Sequence, residues 1–279
     1  MKAVYPLLPS WLVKKKKDFT GGVRNLERMG FKVLNRRFVT RLPSERRKVD
    51  QLHSAFLDKQ VEIILAQRGG YSSLKLLPLI DFPLIRKNPK ILAGFSDVST
   101  LLNAVYERTG LITLHSPMII NFTRPPGINV RSFLNAVRGF PQRNLFAGAP
   151  VRVYRHGKAR GVLKGGNLAT LTSLIGTEWE METAGSVLFL EDVDEELYRV
   201  DRYLTQWLLG GKFDKIRGLI LGDFAGLRNR EVYRILSTQM KIRFPVVHTP
   251  YIGHGKRKIT LPVGARVSLD TSAKTLILQ

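Results

Sequence analysis

The sequence contains no cysteine. That excludes disulfides and a thiolate nucleophile, and it removes the usual thiolate ligands of a structural zinc. Acidic residues are also scarce, with 22 Asp and Glu against 45 Lys and Arg, for a net charge of +23. No apolar run approaches the ~20 residues that span a bilayer. The opening stretch, MKAVYPLLPSWLVKKKK, carries its charge cluster after the apolar residues, and two prolines interrupt it. A secretory signal has the reverse order, so this stretch reads as a first strand and loop. There is no internal repeat and no low-complexity segment. These absences lead to the expectation of a cytoplasmic protein without a membrane partner.

What is present suffices for a large core: 44% of the 279 residues are hydrophobic, enough for one large domain or two smaller ones. The basic residues cluster at Lys14–Lys17 and again at Arg36, Arg37, Arg41, Arg46, Arg47 and Lys48. Such a balance suits a polyanion partner. No helix-turn-helix, RRM, KH or zinc-finger pattern accompanies it, so nucleic acid is not the expected partner. A solvated basic surface and a polyanion- or cell-wall-binding surface both remain open.

The first 120 residues alternate in character. VEIILAQ and KILAGF are short apolar runs of the kind that form buried parallel strands. ERRKVDQLHSAFLD places Val49, Leu52, Ala55 and Phe56 on one helical face, and DVSTLLNAVYERTG does the same with Val98, Leu101, Leu102 and Val105. Gly110 stands where a left-handed residue closes a helix. FKVLNRRF and LITLHSP read as extended. Repeated β-α-β predicts a doubly wound, flavodoxin- or Rossmann-like parallel sheet over residues 1–122. Prolines and a glycine in NFTRPPGINV mark a way out of this domain, and 123–157 reads as a linker with one helix. SVLFLE, GLILGDF, FPVVH, ARVSLD and TLILQ then predict a strand-rich α+β domain over 158–279, several strands being separated by turns.

Ser96 follows a predicted strand and precedes a predicted helix, at the carboxyl edge where α/β sheets place their sites. Taken alone it reads as a helix cap or as a nucleophile beside helix N–H groups. It is not in the G-x-S-x-G elbow of α/β-hydrolases, because Val98 stands where the second glycine belongs. A serine nucleophile needs a base, and the chain offers His53, His115, His156, His248 and His254. His254 differs from the others in having glycine on both sides, which frees the backbone to turn the imidazole into a cleft. Glu191 ends an apolar strand ahead of an acidic loop, as an orienting carboxylate or as part of a solvated surface.

Four blocks together carry a resemblance: AQRGGYSSLKLLPLIDFPLIRKNPKILAGFSDVSTLLNAVYERTGLITLHSPM, LKGGNLATLTSLIGT, VLFLEDVDEELYRVDRYLTQ and IGHGKRKITLPVGARVSLD. In this order and spacing they resemble the L,D-carboxypeptidases, serine peptidases that include muramoyltetrapeptide carboxypeptidases and microcin-immunity peptidases. The resemblance covers nearly the whole chain. It implies Ser96 as nucleophile, His254 as general base and then acid, and Glu191 as the group that orients His254. It implies an oxyanion hole from the backbone N–H groups of Gly70 and Asp97. No metal or cofactor is implied. The implied substrate is a murein tetrapeptide losing its terminal D-alanine during peptidoglycan recycling, and the implied assembly is a homodimer. The alternative within the family is a microcin-immunity-type peptidase acting on peptidyl-nucleotides. The short spacing after Glu191 favours the muropeptide.

The chain departs from the family pattern twice. It has Gly70-Tyr71-Ser72-Ser73 where G-Y-G-S is common, and Gly94-Phe95-Ser96-Asp97 where G-Y-S-D is common. Ser72 adds a side chain at the oxyanion turn, and Phe95 lacks a hydroxyl.

Overall fold

The computed structural model describes residues 1–279. Five strands run in chain order through the first part: β1 (Ala3–Leu7), β2 (Lys32–Val33), β3 (Ile63–Ala66), β4 (Ile91–Gly94) and β5 (Thr113–His115). Eight more follow: β6 (Arg152–Arg155), β7 (Lys158–Asn167), β8 (Ser186–Val193), β9 (Gly218–Ala225), β10 (Val246–His248), β11 (Leu261–Val263), β12 (Arg266–Asp270) and β13 (Thr275–Leu278). The helices are α1 (Lys16–Arg28), α2 (Glu45–Leu57), α3 (Ser73–Leu76), α4 (Phe82–Lys87), α5 (Ser99–Thr109), α6 (Gly127–Val137), α7 (Leu168–Thr172), α8 (Leu197–Leu209) and α9 (Asn229–Gln239). No helix is long and apolar enough to cross a membrane.

The central strand of the first sheet, β3, reads IILA and is buried at every position. Helices on both faces exclude water from such a strand, so apolar side chains on both sides of the pleat are stabilising. The sheet order is β11-β5-β4-β3-β1-β2, parallel throughout except for β11 at its edge. α5 matches its sequence period: Leu101, Leu102 and Val105 are fully buried, and Gly110 ends it at φ +76°. β2 is shorter than FKVLNRRF suggests. Asn35 turns into the left-handed region at φ +46°, which asparagine tolerates and which ends the ladder.

The second sheet runs β13-β12-β7-β8-β9-β10-β6. Its centre, β7 to β10, is parallel, and the antiparallel pairings lie at the two ends, β13–β12 and β12–β7 on one side and β10–β6 on the other. Several strands read as separated by turns; that holds from β11 to β13, whereas α8 and α9 join β8 to β9 and β9 to β10 as full helices. Parallel neighbours need a crossover long enough to return the chain, and Val200, Leu204 and Trp207 bury one face of α8 to provide it.

Sheet membership does not follow the expected divisions at 122 and 158. Within 123–157, α6 packs Phe133 against Phe31 and Phe122 of the first part, at ring separations of 5.9 and 5.0 Å. β6, in the same segment, is the edge strand of the second sheet, paired with β10. In the other direction, β11 leaves the second part to pair with β5 of the first, setting Leu261 opposite His115. Leu101 and Val105 of α5 and Leu188, Leu190 and Trp207 of the second part belong to one buried apolar cluster. The two sheets thus share a core, and the site lies at their junction.

Candidate active site

β4 delivers the chain to Ser96 through a tight approach. A Cβ on Gly94 would stand 3.0 Å from both Ala66 Cβ and Val98 Cγ1. Ser96 then adopts φ +65°, a conformation that L-residues rarely take and that costs about 1–3 kcal/mol. It is the first residue of the short 3-10 turn Ser96–Val98, whose cap position Phe95 takes. Ser96 Oγ lies 3.0 Å from His254 Nε2. The other ring nitrogen, Nδ1, lies 2.7 Å from Glu191 Oε2.

Each partner is held by its own element. Glu191 sits in β8, fully buried, in register with Asn167 of β7. Its second oxygen, Oε1, has no hydrogen-bond partner. His254 lies in the loop between β10 and β11. That loop can press onto Glu191 because Gly253 has no side chain: a Cβ there would be 2.7 Å from Glu191 Oε2, and φ is +118°. Gly222 in β9 serves likewise, since a Cβ would meet Ile252 O at 2.6 Å and Glu191 Cβ at 2.8 Å.

The turn after β3 closes over the serine. Gly69 is the residue directly against it, for its Cβ position falls 2.8 Å from Ser96 Cβ and 2.9 Å from Oγ. Gly70, singled out from sequence, is required for a different reason: its φ is +134° and its Cβ space is occupied by Trp11 Cβ at 2.6 Å. The Gly70 N–H donates to no group in the chain. Asp97 follows the serine, and its buried carboxylate accepts from Ser73 N at 3.0 Å and Ser73 Oγ at 2.7 Å. This pair ties the serine turn to the glycine turn. The sequence contained both residues but gave no sign of the bond.

Ser72 does not crowd the serine. It adopts φ +112°, and its Oγ accepts from Lys48 Nζ at 2.7 Å. Lys48 is itself buried, donates to Ser10 O at 2.7 Å, and has its pKa lowered by that burial. Asp192, beside Glu191, accepts from Asn167, Ala169 and Val193. Burial, then the charge of Glu191, push its pKa up to about 6 despite those bonds.

The remaining histidines stand apart from Ser96. His53 accepts from Asp81 N at 2.9 Å. His156 is exposed. His248 is depressed to about 4 by burial and Arg152. His115 is buried between the rings of Phe95 and Phe189, at 5.8 and 5.1 Å, with neither nitrogen hydrogen-bonded. Burial holds its pKa down to about 4, against the opposing charge of Glu191, so it is neutral at physiological pH.

A hydroxyl, an imidazole and a buried carboxylate in hydrogen-bond series, at the carboxyl edge of a parallel sheet, can deliver a nucleophile to a carbonyl carbon. Several proteins of similar sequence carry names of the carboxypeptidase class. A family model described as the LD-carboxypeptidase N-terminal domain matches residues 7–116, and one described as the LD-carboxypeptidase C-terminal domain matches residues 160–269. The chain belongs to the LD-carboxypeptidase family. It is 33% identical over 242 residues to a probable murein peptide carboxypeptidase of Bacillus subtilis, spanning 83% of this chain and 76% of that protein. A muramoyltetrapeptide carboxypeptidase from Oxalobacter formigenes superposes with a TM-score of 0.84 at 28% identity, covering 99% of this chain and 98% of that one. An MccF-like protein from Bacillus anthracis superposes with a TM-score of 0.88 at 25% identity, over 99% and 96% of the two chains.

Proposed function

We propose that the protein is a serine-type L,D-carboxypeptidase that releases the terminal D-alanine of murein tetrapeptides. The observation that carries this reading is the continuous series Ser96 Oγ, His254, Glu191, with links of 3.0 and 2.7 Å. His254 Nε2 takes the proton of Ser96 as Oγ attacks the amide carbonyl between an L-centre and D-alanine. Glu191 holds Nδ1–H, fixes the tautomer and stabilises the imidazolium that forms. The oxyanion is received by the backbone N–H groups of Gly70 and Asp97. The imidazolium then protonates the departing amine, and D-alanine leaves. Water, deprotonated by the same histidine, hydrolyses the ester on Ser96. The relatives' names support a murein peptide as substrate, and peptidoglycan recycling in the cytoplasm, by a homodimer, completes the reading.

Incubation with a murein tetrapeptide ending in D-alanine tests it. Free D-alanine is expected from the wild type and not from Ser96→Ala. No release by the wild type, or equal release by the variant, overturns the reading. The superposition on the MccF-like protein favours a second reading, a peptidase of peptidyl-nucleotides. Cleavage of a peptidyl-adenylate analogue, with the tetrapeptide left intact, would select it.

A further inference from the structure

Lys258 lies four residues beyond His254 and is 5% exposed. In a chain of charge +23, lysines have every reason to reach water, and a buried ammonium costs several kcal/mol unless it is well partnered. Of the other two buried lysines, Lys164 pairs with Glu107 and Lys48 meets Ser10 and Ser72. Lys258 forms no ion pair. Its Nζ donates to Gly253 O at 2.7 Å and also to Gly255 O, the carbonyls on either side of His254. It also sits 4.7 Å above the centroid of the Phe95 ring, as a cation over an aromatic face. Phe95 directly precedes Ser96, and its ring packs on the His254 imidazole at 4.9 Å.

The loop is also held from outside: Ile252 O accepts from Asp223 N at 2.6 Å, Lys256 O accepts from Asn129 Nδ2 at 3.1 Å, and the Gly255 N–H donates to the Asp223 carboxylate. Ile259 N closes it onto Tyr251 O at 2.8 Å, and Lys258 N is anchored to Asn129 Oδ1 at 2.8 Å. Between those anchors Gly253 and Gly255 flank the histidine. Two glycines give the backbone freedom to swing the ring, and swinging it by a fraction of an ångström breaks the line from Oγ to Nε2. One ammonium binds both flanking carbonyls and the ring that leads into the serine.

We propose that Lys258 is a positioning residue: its ammonium locks the carbonyls of Gly253 and Gly255 and the ring of Phe95, and so holds His254 Nε2 on Ser96 Oγ. This rests on the reading that Ser96 and His254 perform the reaction. The charged and titratable groups that act on or around Lys258 are Glu191, Asp223, His254 and His115. Burial lowers Lys258 to about 8, while Glu191 and Asp223 pull the other way. Asp223 is raised by burial, and His115 is neutral above about 4. Below about 8 Lys258 is an ammonium with three donors. Above it an amine with two weaker donors remains, and the clamp loosens.

The test uses Lys258→Met, which keeps the stem and loses the donors, and Lys258→Arg, which keeps a charge that does not titrate. Three quantities are followed: kcat and KM against pH, thermal unfolding, and the downfield proton resonance of the His254–Glu191 hydrogen bond. Lys258→Met is expected to lose about 10–100-fold in kcat with KM little changed, and to lose or shift the resonance. The wild type is expected to lose activity above about pH 8, and Lys258→Arg is expected to keep the resonance and not to show that loss. A folded Lys258→Met with unchanged resonance and pH profile overturns the proposal. So does a Lys258→Arg that declines at the wild-type midpoint, which decides the matter if Lys258→Met does not fold. The resonance needs no substrate, so failure of the wild type to release D-alanine would sink the assigned activity and leave this arm decisive.

Discussion

Gly69 meets Ser96 with no room for a side chain: a Cβ on Gly69 would stand 2.9 Å from the serine Oγ. Its φ lies outside the left-handed region, so the backbone accepts alanine and only the serine side of the turn is disturbed. Gly69→Ala is therefore expected to fold with a Tm near that of the wild type and to lose about 100-fold or more in kcat. Thermal unfolding and D-alanine release check both halves. A variant with full activity would show that the turn does not bear on the reaction.

Glu191 is fully buried, with one oxygen on His254 and the other unpartnered. An amide at this position offers N–H where the imidazole needs an acceptor, and the wrong tautomer is favoured. Glu191→Gln should lower kcat about 10³–10⁴-fold and leave KM nearly unchanged. It also removes a buried charge with an unmet oxygen, so Tm should hold or rise. A clear fall in Tm would contradict this account of the carboxylate.

Acid should weaken the fold through His115. Its pKa is about 4 in the folded chain, against about 6.5 when unfolded, so the unfolded state binds the proton first. The contribution is whole above about pH 6.5 and is lost as pH falls to about 4, amounting to at most about 3 kcal/mol. Asp192 acts in the opposite sense. Held up to about 6, it costs stability while ionised, and that cost is relieved as pH falls below 6. Urea midpoints for wild type and His115→Gln, measured across this range, isolate the histidine. The stability difference between them should change with pH in the wild type's disfavour on the acid side, and a constant difference would refute it.

Ser72 and Lys48 should be energetically coupled. Ser72→Gly relieves a residue at φ +112° and at the same time removes an acceptor from a buried ammonium. Lys48→Met should cost less in the Ser72→Gly background than in the wild type, by about 1–2 kcal/mol in a double-mutant cycle. Urea unfolding of the four proteins measures it, and additive effects would mean that the hydrogen bond contributes nothing.

The sequence made the site legible only as a set. Ser96 alone had an ordinary reading as a helix cap, Glu191 as a surface acid and His254 as a loop histidine. The resemblance of the four blocks that carry them to the L,D-carboxypeptidases joined them. The α5 helix was legible because Leu101, Leu102 and Val105 keep a clean period ended by Gly110. α8 was missed although Val200, Leu204 and Trp207 fall at i, i+4 and i+7, because the acidic run that precedes it reads as a solvated loop. β11 was hidden by its proline, which excludes Pro262 from a central strand but not from an edge. Long-range contacts, such as Gly69 on Ser96 and Lys258 on Phe95, have no local signature at all.

The last placement has a consequence for how the protein is made. Synthesis yields the serine, the glycine turn and the carboxylate well before the histidine loop, and β11, which docks that loop's end on the first sheet, comes later still. A chain growing on a ribosome therefore lacks the Ser96–His254–Glu191 series for nearly its whole length. Ser96, His254 and Glu191 can be brought into series only once the loop that leads into β11 is made and that strand pairs with β5.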